Sequence, residues 1–70
     1  MDNTITITLN GETTVIAAHT TVAGLIDQRG ISPDGTAVAV GETVLPRSRW
    51  KDNRLRPGDT VEILTAVQGG

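Results

Sequence analysis

Thr4-Ile5-Thr6-Ile7-Thr8-Leu9-Asn10-Gly11, followed by Glu12 and the run from Thr13 to Ala17, decides the fold. Polar and apolar residues alternate strictly from Thr4 to Leu9. A period of two puts Ile5, Ile7 and Leu9 on one face and the threonines on the other, so the stretch reads as a half-buried strand. Asn10-Gly11 predicts a tight two-residue turn, because both residues tolerate positive φ. Thr13 to Ala17 is then the returning strand of an antiparallel pair.

Further along, Thr21 reads as a helix N-cap, its hydroxyl placed to accept from a free N–H of the first turn. Val22, Leu25 and Ile26 follow at i, i+3 and i+4, one helical face. Gly30 suits the left-handed position that ends a helix. Gly24 inside costs about 1 kcal/mol relative to alanine, so packing on a sheet must hold this short helix. Pro33-Asp34-Gly35 is turn chemistry. Ala37 to Val40 reads as a strand covered on one side by the helix. Gly41-Glu42 makes a second two-residue turn, with glycine first. Thr43 to Leu45 returns as a short strand, and Pro46 ends it for want of an N–H. Ser48 to Lys51 forms one irregular helical turn. Arg56-Pro57-Gly58-Asp59 is another turn, and Thr60 to Val67 is the last strand.

Strands therefore open and close the chain around one helix. The order predicts an α+β fold, a mixed sheet of four to five strands wrapping the helix. The expected core is Ile5, Ile7, Val15, Leu25, Ile26, Val38, Val40, Leu55, Val61 and Ile63. Trp50, the single aromatic residue, is expected to cap one end of it.

The length of 70 residues fits one domain, residues 1–70. A domain of this size buries only about 60% of its unfolded surface and has little room for a catalytic cavity. The composition argues in the same direction. There is no cysteine, hence no disulfide framework and no thiol nucleophile, and a single histidine, His19, leaves no metal cluster. His19 itself reads as a turn or surface residue. Asp27 and Asp34 sit in no catalytic spacing, and Gly41 and Gly58 sit in ordinary turns rather than a phosphate loop. The net charge of −2 lacks the basic stripe that nucleic-acid binding needs. Arg47, Arg49, Lys51, Arg54 and Arg56 do cluster in one segment. They make either a solvated basic loop or a docking patch for an acidic partner. No signal peptide and no membrane-length apolar run is visible, so a cytoplasmic protein is expected.

The end of the chain carries the most specific signal. If Val61 and Ile63 face the helix, Leu64 and Ala66 face out. They offer either a partner surface or scattered surface apolars. Gln68-Gly69-Gly70 then forms a tail whose last residues lack Cβ atoms. Such a tail can enter a channel too narrow for other residues, presenting the terminal carboxylate alone. Taken by itself, a Gly-Gly end is equally the pattern of a loose chain terminus.

Three stretches together carry a resemblance. They are Leu9-Asn10-Gly11-Glu12, then Val44-Leu45-Pro46-Arg47-Ser48-Arg49-Trp50, and Pro57-Gly58-Asp59 through Val61-Glu62-Ile63 to Val67-Gln68-Gly69-Gly70. In that order, and at this length, the chain resembles the ThiS family of thiamine-biosynthesis sulfur carriers, of the ubiquitin-like β-grasp class. One departure is Gly41-Glu42, where the family often has an asparagine-glycine turn.

The resemblance implies a carrier rather than an enzyme, ending in a flexible Gly-Gly tail. An E1-like adenylyltransferase of the ThiF type, using ATP and Mg, would adenylate Gly70. A sulfur donor system would convert it to a thiocarboxylate. A thiazole synthase of the ThiG type would use that sulfur to build the thiazole ring. By the same resemblance Val67, Gln68 and Gly69 lead the end into partner active sites, and Leu64 and Ala66 belong to the partner-binding face. Related carriers share the Gly-Gly end. A sulfur carrier of the molybdopterin synthase small-subunit type and a ubiquitin-like protein modifier therefore stay open as alternatives.

Overall fold

The computed structural model describes residues 3–66. The elements are β1 (Thr4–Leu9), β2 (Glu12–Ala17), α1 (Val22–Gln28), β3 (Thr36–Val40), β4 (Thr43–Leu45), a 3-10 turn (Arg47–Arg49) and β5 (Thr60–Thr65). The five strands form one mixed sheet in the order β2-β1-β5-β3-β4. The first and last strands of the chain lie side by side and parallel, pairing Thr8 with Thr60 and Leu9 with Val61. All other pairings are antiparallel.

The opening hairpin forms as its sequence dictates. Asn10 and Gly11 take φ of 50° and 84°, and Leu9 pairs directly with Glu12. That register overturns one expected core residue. Ile5 faces inward and sits opposite Ile16, whereas Val15 sits opposite Thr6 on the outer face. Directly opposite residues share a face, so Val15 is 63% exposed and Ile16 is 7% exposed. Leu9, Val22 and Trp50 complete the buried cluster, with Ile5 and Val40 packed against it from the side.

Asn10 does more than turn the chain. Its Nδ2 donates to the Ile63 carbonyl at 3.3 Å, and its Oδ1 accepts from the Ile63 N–H at 2.8 Å. One side chain thus clamps the hairpin to β5 across most of the sequence. Asn10→Ala removes both bonds and puts an alanine at positive φ, an expected cost of about 2 kcal/mol. At this size the thermal midpoint falls by roughly 10 °C. Asn10→Gly keeps the backbone conformation and is expected to lose about half as much. Equal midpoints for Asn10→Ala and the parent chain would remove the clamp from the account.

The helix is short and capped at both ends. The Thr21 hydroxyl accepts from the Gly24 N–H at 3.0 Å, and Gly30 follows the last turn with φ of 68°. Val22, Leu25 and Ile26 are all buried against the inner face of the sheet. The irregular turn after β4 lies one residue earlier than expected, at Arg47–Arg49 rather than from Ser48. Pro46 supplies its first acceptor, since the Arg49 N–H donates to the Pro46 carbonyl at 2.8 Å. Trp50 follows it, 4% exposed, with its Nε1 donating to the Leu45 carbonyl at 3.0 Å. Among the described residues no helix is long and apolar enough to cross a membrane.

Candidate functional site: the exit of the central strand and its outer face

β5 is the central strand of the sheet, and its C-terminal end leads toward Val67, Gln68, Gly69 and Gly70, which lie outside the described residues. The exit itself is fixed by backbone contacts. Thr36 pairs with Thr65, and the Ala66 N–H donates to the Gly35 carbonyl at 2.8 Å. Gly35 takes φ of 76°, and a Cβ added there would stand 3.5 Å from the Ala66 Cβ. The Pro33-Asp34-Gly35 turn therefore sets where the chain leaves the sheet. It needs a residue that accepts positive φ beside a neighbouring side chain.

Alternation along β5 divides its side chains as the sequence predicts. Val61 and Ile63 are buried, while Glu62, Leu64 and Ala66 are exposed. Leu64 is 70% exposed. Across the β3 register, Ala37 lies opposite Leu64 and Ala39 opposite Glu62. Across the next register, Val44 lies opposite Ala39, and it is 71% exposed. Leu64, Ala37, Ala39 and Val44 thus share the outer face, an apolar strip crossing three strands. Glu42 and Glu62 border a shallow depression beside it, together with Ala39, Gly41 and Thr60. The strip offers apolar contact area, and the two carboxylates offer a counter-charge for cations on whatever covers it.

Sequence reading found Leu64 and Ala66 but not Ala37, Ala39 or Val44. The signal was present in β3, where small Ala37 and Ala39 alternate with branched Val38 and Val40. Sheet order was needed to place them beside Leu64.

The remaining candidates fall elsewhere. His19 is exposed in the turn between β2 and α1, with φ of 72°. Asp34 accepts from Arg47 Nη1 at 2.9 Å, a pair exposed on both sides, and Asp27 stands on the outer side of α1. No group of three His, Cys, Asp or Glu that could hold a metal occurs among the described residues. Arg47, Arg49, Lys51, Arg54 and Arg56 are all exposed. Their segment runs along the first turn of α1, where the Trp50 and Asn53 carbonyls accept from the Ala23 and Val22 N–H groups, and Arg49 borders a depression that includes Val44.

A five-stranded mixed sheet wrapped over one helix, with a parallel pairing of first and last strands, defines a ubiquitin-like β-grasp domain. Residues 3–70 match the model of the ThiS family, and the chain belongs to that family. It is 28% identical over 64 residues to the sulfur carrier protein ThiS of Escherichia coli (strain K12), covering 91% of this chain and 97% of that protein. Its fold is similar to the crystal structure of the thiamine biosynthesis protein ThiS from Geobacter metallireducens. That similarity has a TM-score of 0.79 at 25% identity, and it covers 94% of this chain and 100% of that one.

Proposed function

We propose that this chain carries sulfur for thiamine biosynthesis, with the Gly70 carboxylate as the acceptor. The observation that supports it most is the family match through Gly70, on a chain whose central strand runs toward Gly69-Gly70. A carboxylate does not react with a sulfur nucleophile until it is activated. An E1-like adenylyltransferase of the ThiF type, with ATP and Mg, would provide the activation. The Gly70 carboxylate oxygen attacks the α-phosphorus and pyrophosphate leaves. A sulfide equivalent from the donor system then attacks the acyl carbon and AMP leaves with the bonding pair. The product is a thiocarboxylate, and a thiazole synthase of the ThiG type takes its sulfur into the thiazole ring.

Two features of the chain suit that chemistry. Glycine at the end leaves the acyl carbon unhindered, and a chain without cysteine cannot trap its own activated carboxyl as a thioester. The outer face carries the recognition. Leu64→Glu places a charge at the β5 end of the apolar strip and is expected to weaken binding of the adenylyltransferase at least about tenfold. The thermal midpoint should stay within a few degrees, since Leu64 is exposed. Unchanged affinity in the folded variant would remove this face from the proposal.

Complementation tests the pathway. In a bacterium lacking its own thiamine sulfur carrier, this chain is expected to restore growth without thiamine. Failure there, with restored molybdoenzyme activity in a strain lacking the molybdopterin synthase small subunit, would assign the chain to the other carrier type. Recovery of the chain in isopeptide linkage to lysines would make it a modifier instead.

A further inference from the structure

We propose that Asn10 is a site of spontaneous modification: the backbone nitrogen of Gly11 displaces ammonia from the Asn10 side chain, and the clamp on β5 is lost irreversibly. The inference does not rest on the sulfur-carrier reading, since the reaction needs no partner.

Asparagine is among the chemically labile side chains. The chain has it at positions 3, 10 and 53. Thr4 and Arg54 follow two of them, and their Cβ atoms crowd the approach of the backbone nitrogen to the side-chain carbon. Gly11 follows Asn10 and brings no Cβ. It is exposed, and a Cβ built on it would meet nothing within 4 Å. Among the described residues its N–H donates to no backbone carbonyl. Once that nitrogen gives its proton to solvent, it attacks Asn10 Cγ. The N–Cγ bond forms, the Cγ–Nδ2 bond breaks, and Nδ2 takes up a proton and leaves as ammonia. Water then opens the five-membered imide at either carbonyl. Opening at Cγ gives aspartate, and opening at the main-chain carbonyl gives isoaspartate. The net reaction turns an amide and water into an acid and ammonia.

The fold controls when this happens. Both polar atoms of the amide are engaged by Ile63, Nδ2 donating at 3.3 Å and Oδ1 accepting at 2.8 Å. Ring closure makes Cγ tetrahedral and swings it toward Gly11, so neither bond survives it. The closed clamp withholds the reaction, and a local opening of the hairpin tip permits it. The fold also sets the consequence. The backbone register between β1 and β5 is short, pairing Thr8 with Thr60 and Leu9 with Val61. The Asn10 N–H donates to the Val61 carbonyl at 2.9 Å, and its side chain carries the ladder on to Ile63. Aspartate in that place has no donor for the Ile63 carbonyl and sets a charge against it. Isoaspartate adds a backbone methylene to a turn that holds two residues between Leu9 and Glu12. Either product loosens the joint between the first and last strands.

The test follows the untagged full chain by intact mass and fragmentation, near neutral pH and at physiological temperature. Folded chain and chain held in guanidinium chloride are incubated in parallel. The proposal expects the Asn10 amide to become an acid in both, as a mixture of aspartate and isoaspartate. Conversion should be at least about tenfold slower in the folded chain. Refolded after conversion, the chain should melt roughly 5–10 °C below the unconverted one. Gly11→Ala in guanidinium chloride, where folding plays no part, should slow conversion at least about tenfold through its added Cβ. No conversion of Asn10 in the folded chain after prolonged incubation would overturn the proposal, as would equal rates in folded and unfolded chains. Conversion that Gly11→Ala leaves unchanged would also overturn it, and so would a converted chain that melts with the parent.

Discussion

Trp50→Ala is expected to lower the thermal midpoint of this domain by roughly 15–30 °C. The indole is 4% exposed and joins the core contributed by the helix and the inner sheet face. Truncating a buried tryptophan to alanine costs about 3–5 kcal/mol in lost burial and cavity formation. A chain this size has only roughly 4–10 kcal/mol of stability in total. No other aromatic residue exists to collapse into the gap. The change also strips the Leu45 carbonyl of its Nε1 donor, at the point where β4 hands over to the 3-10 turn. Trp50→Phe separates the two contributions. It keeps most of the ring and loses the bond, and about 1–2 kcal/mol is expected. Far-UV circular dichroism is the suitable probe, since the variant has no tryptophan to report by fluorescence. A midpoint within about 5 °C of the parent for Trp50→Ala would mean that the core does not depend on Trp50.

Removing Gly69 and Gly70 has the opposite profile. Sulfur loading is expected to fall to background while the melting curve stays where it was. Every contact described for residues 3–66 is retained, including the Ala66 bond to Gly35 that fixes the strand exit. The outer strip of Leu64, Ala37, Ala39 and Val44 is retained as well. The shortened chain should therefore still bind the adenylyltransferase and compete with the full chain for it. Inhibition that is relieved by excess full-length chain would distinguish recognition by the sheet from chemistry at the tail. Undiminished loading of the shortened chain would place the acceptor somewhere other than Gly70.

Local signals made most of the fold legible. Asn10-Gly11 fixed a two-residue turn because both positions need positive φ. Thr21 and Gly30 bounded the helix because each satisfies or terminates its free backbone groups. Strict alternation in Thr4–Leu9 assigned a face to each side chain. The error at Val15 arose where alternation is weakest, since Thr13-Thr14-Val15-Ile16-Ala17 offers two adjacent branched apolar residues. Only the pairing across the turn decides between them. Once Leu9 faces Glu12, Ile5 must face Ile16, and Val15 is carried to the outside.

What the sequence did not reveal depends on partners far apart in the chain. The Asn10 clamp joins residues whose separation along the chain is 53. The outer strip gathers β3, β4 and β5, whose adjacency follows from sheet order and not from spacing. The segment around Trp50 lies against the first turn of α1, a placement made by backbone groups with no side-chain signature. The basic cluster was visible as a cluster. Its division between the helix side, where Arg47 and Lys51 stand, and the β4 side, where Arg49 lies by Val44, was not.

The most direct test of the central claim is the intact mass of the untagged chain. It is measured after incubation with ATP, Mg, the ThiF-type adenylyltransferase and a sulfur donor. The account predicts a gain equal to one oxygen replaced by sulfur, localised by fragmentation to Gly70 and dependent on ATP. An unchanged mass, with the same enzyme shown to load another carrier, would contradict it.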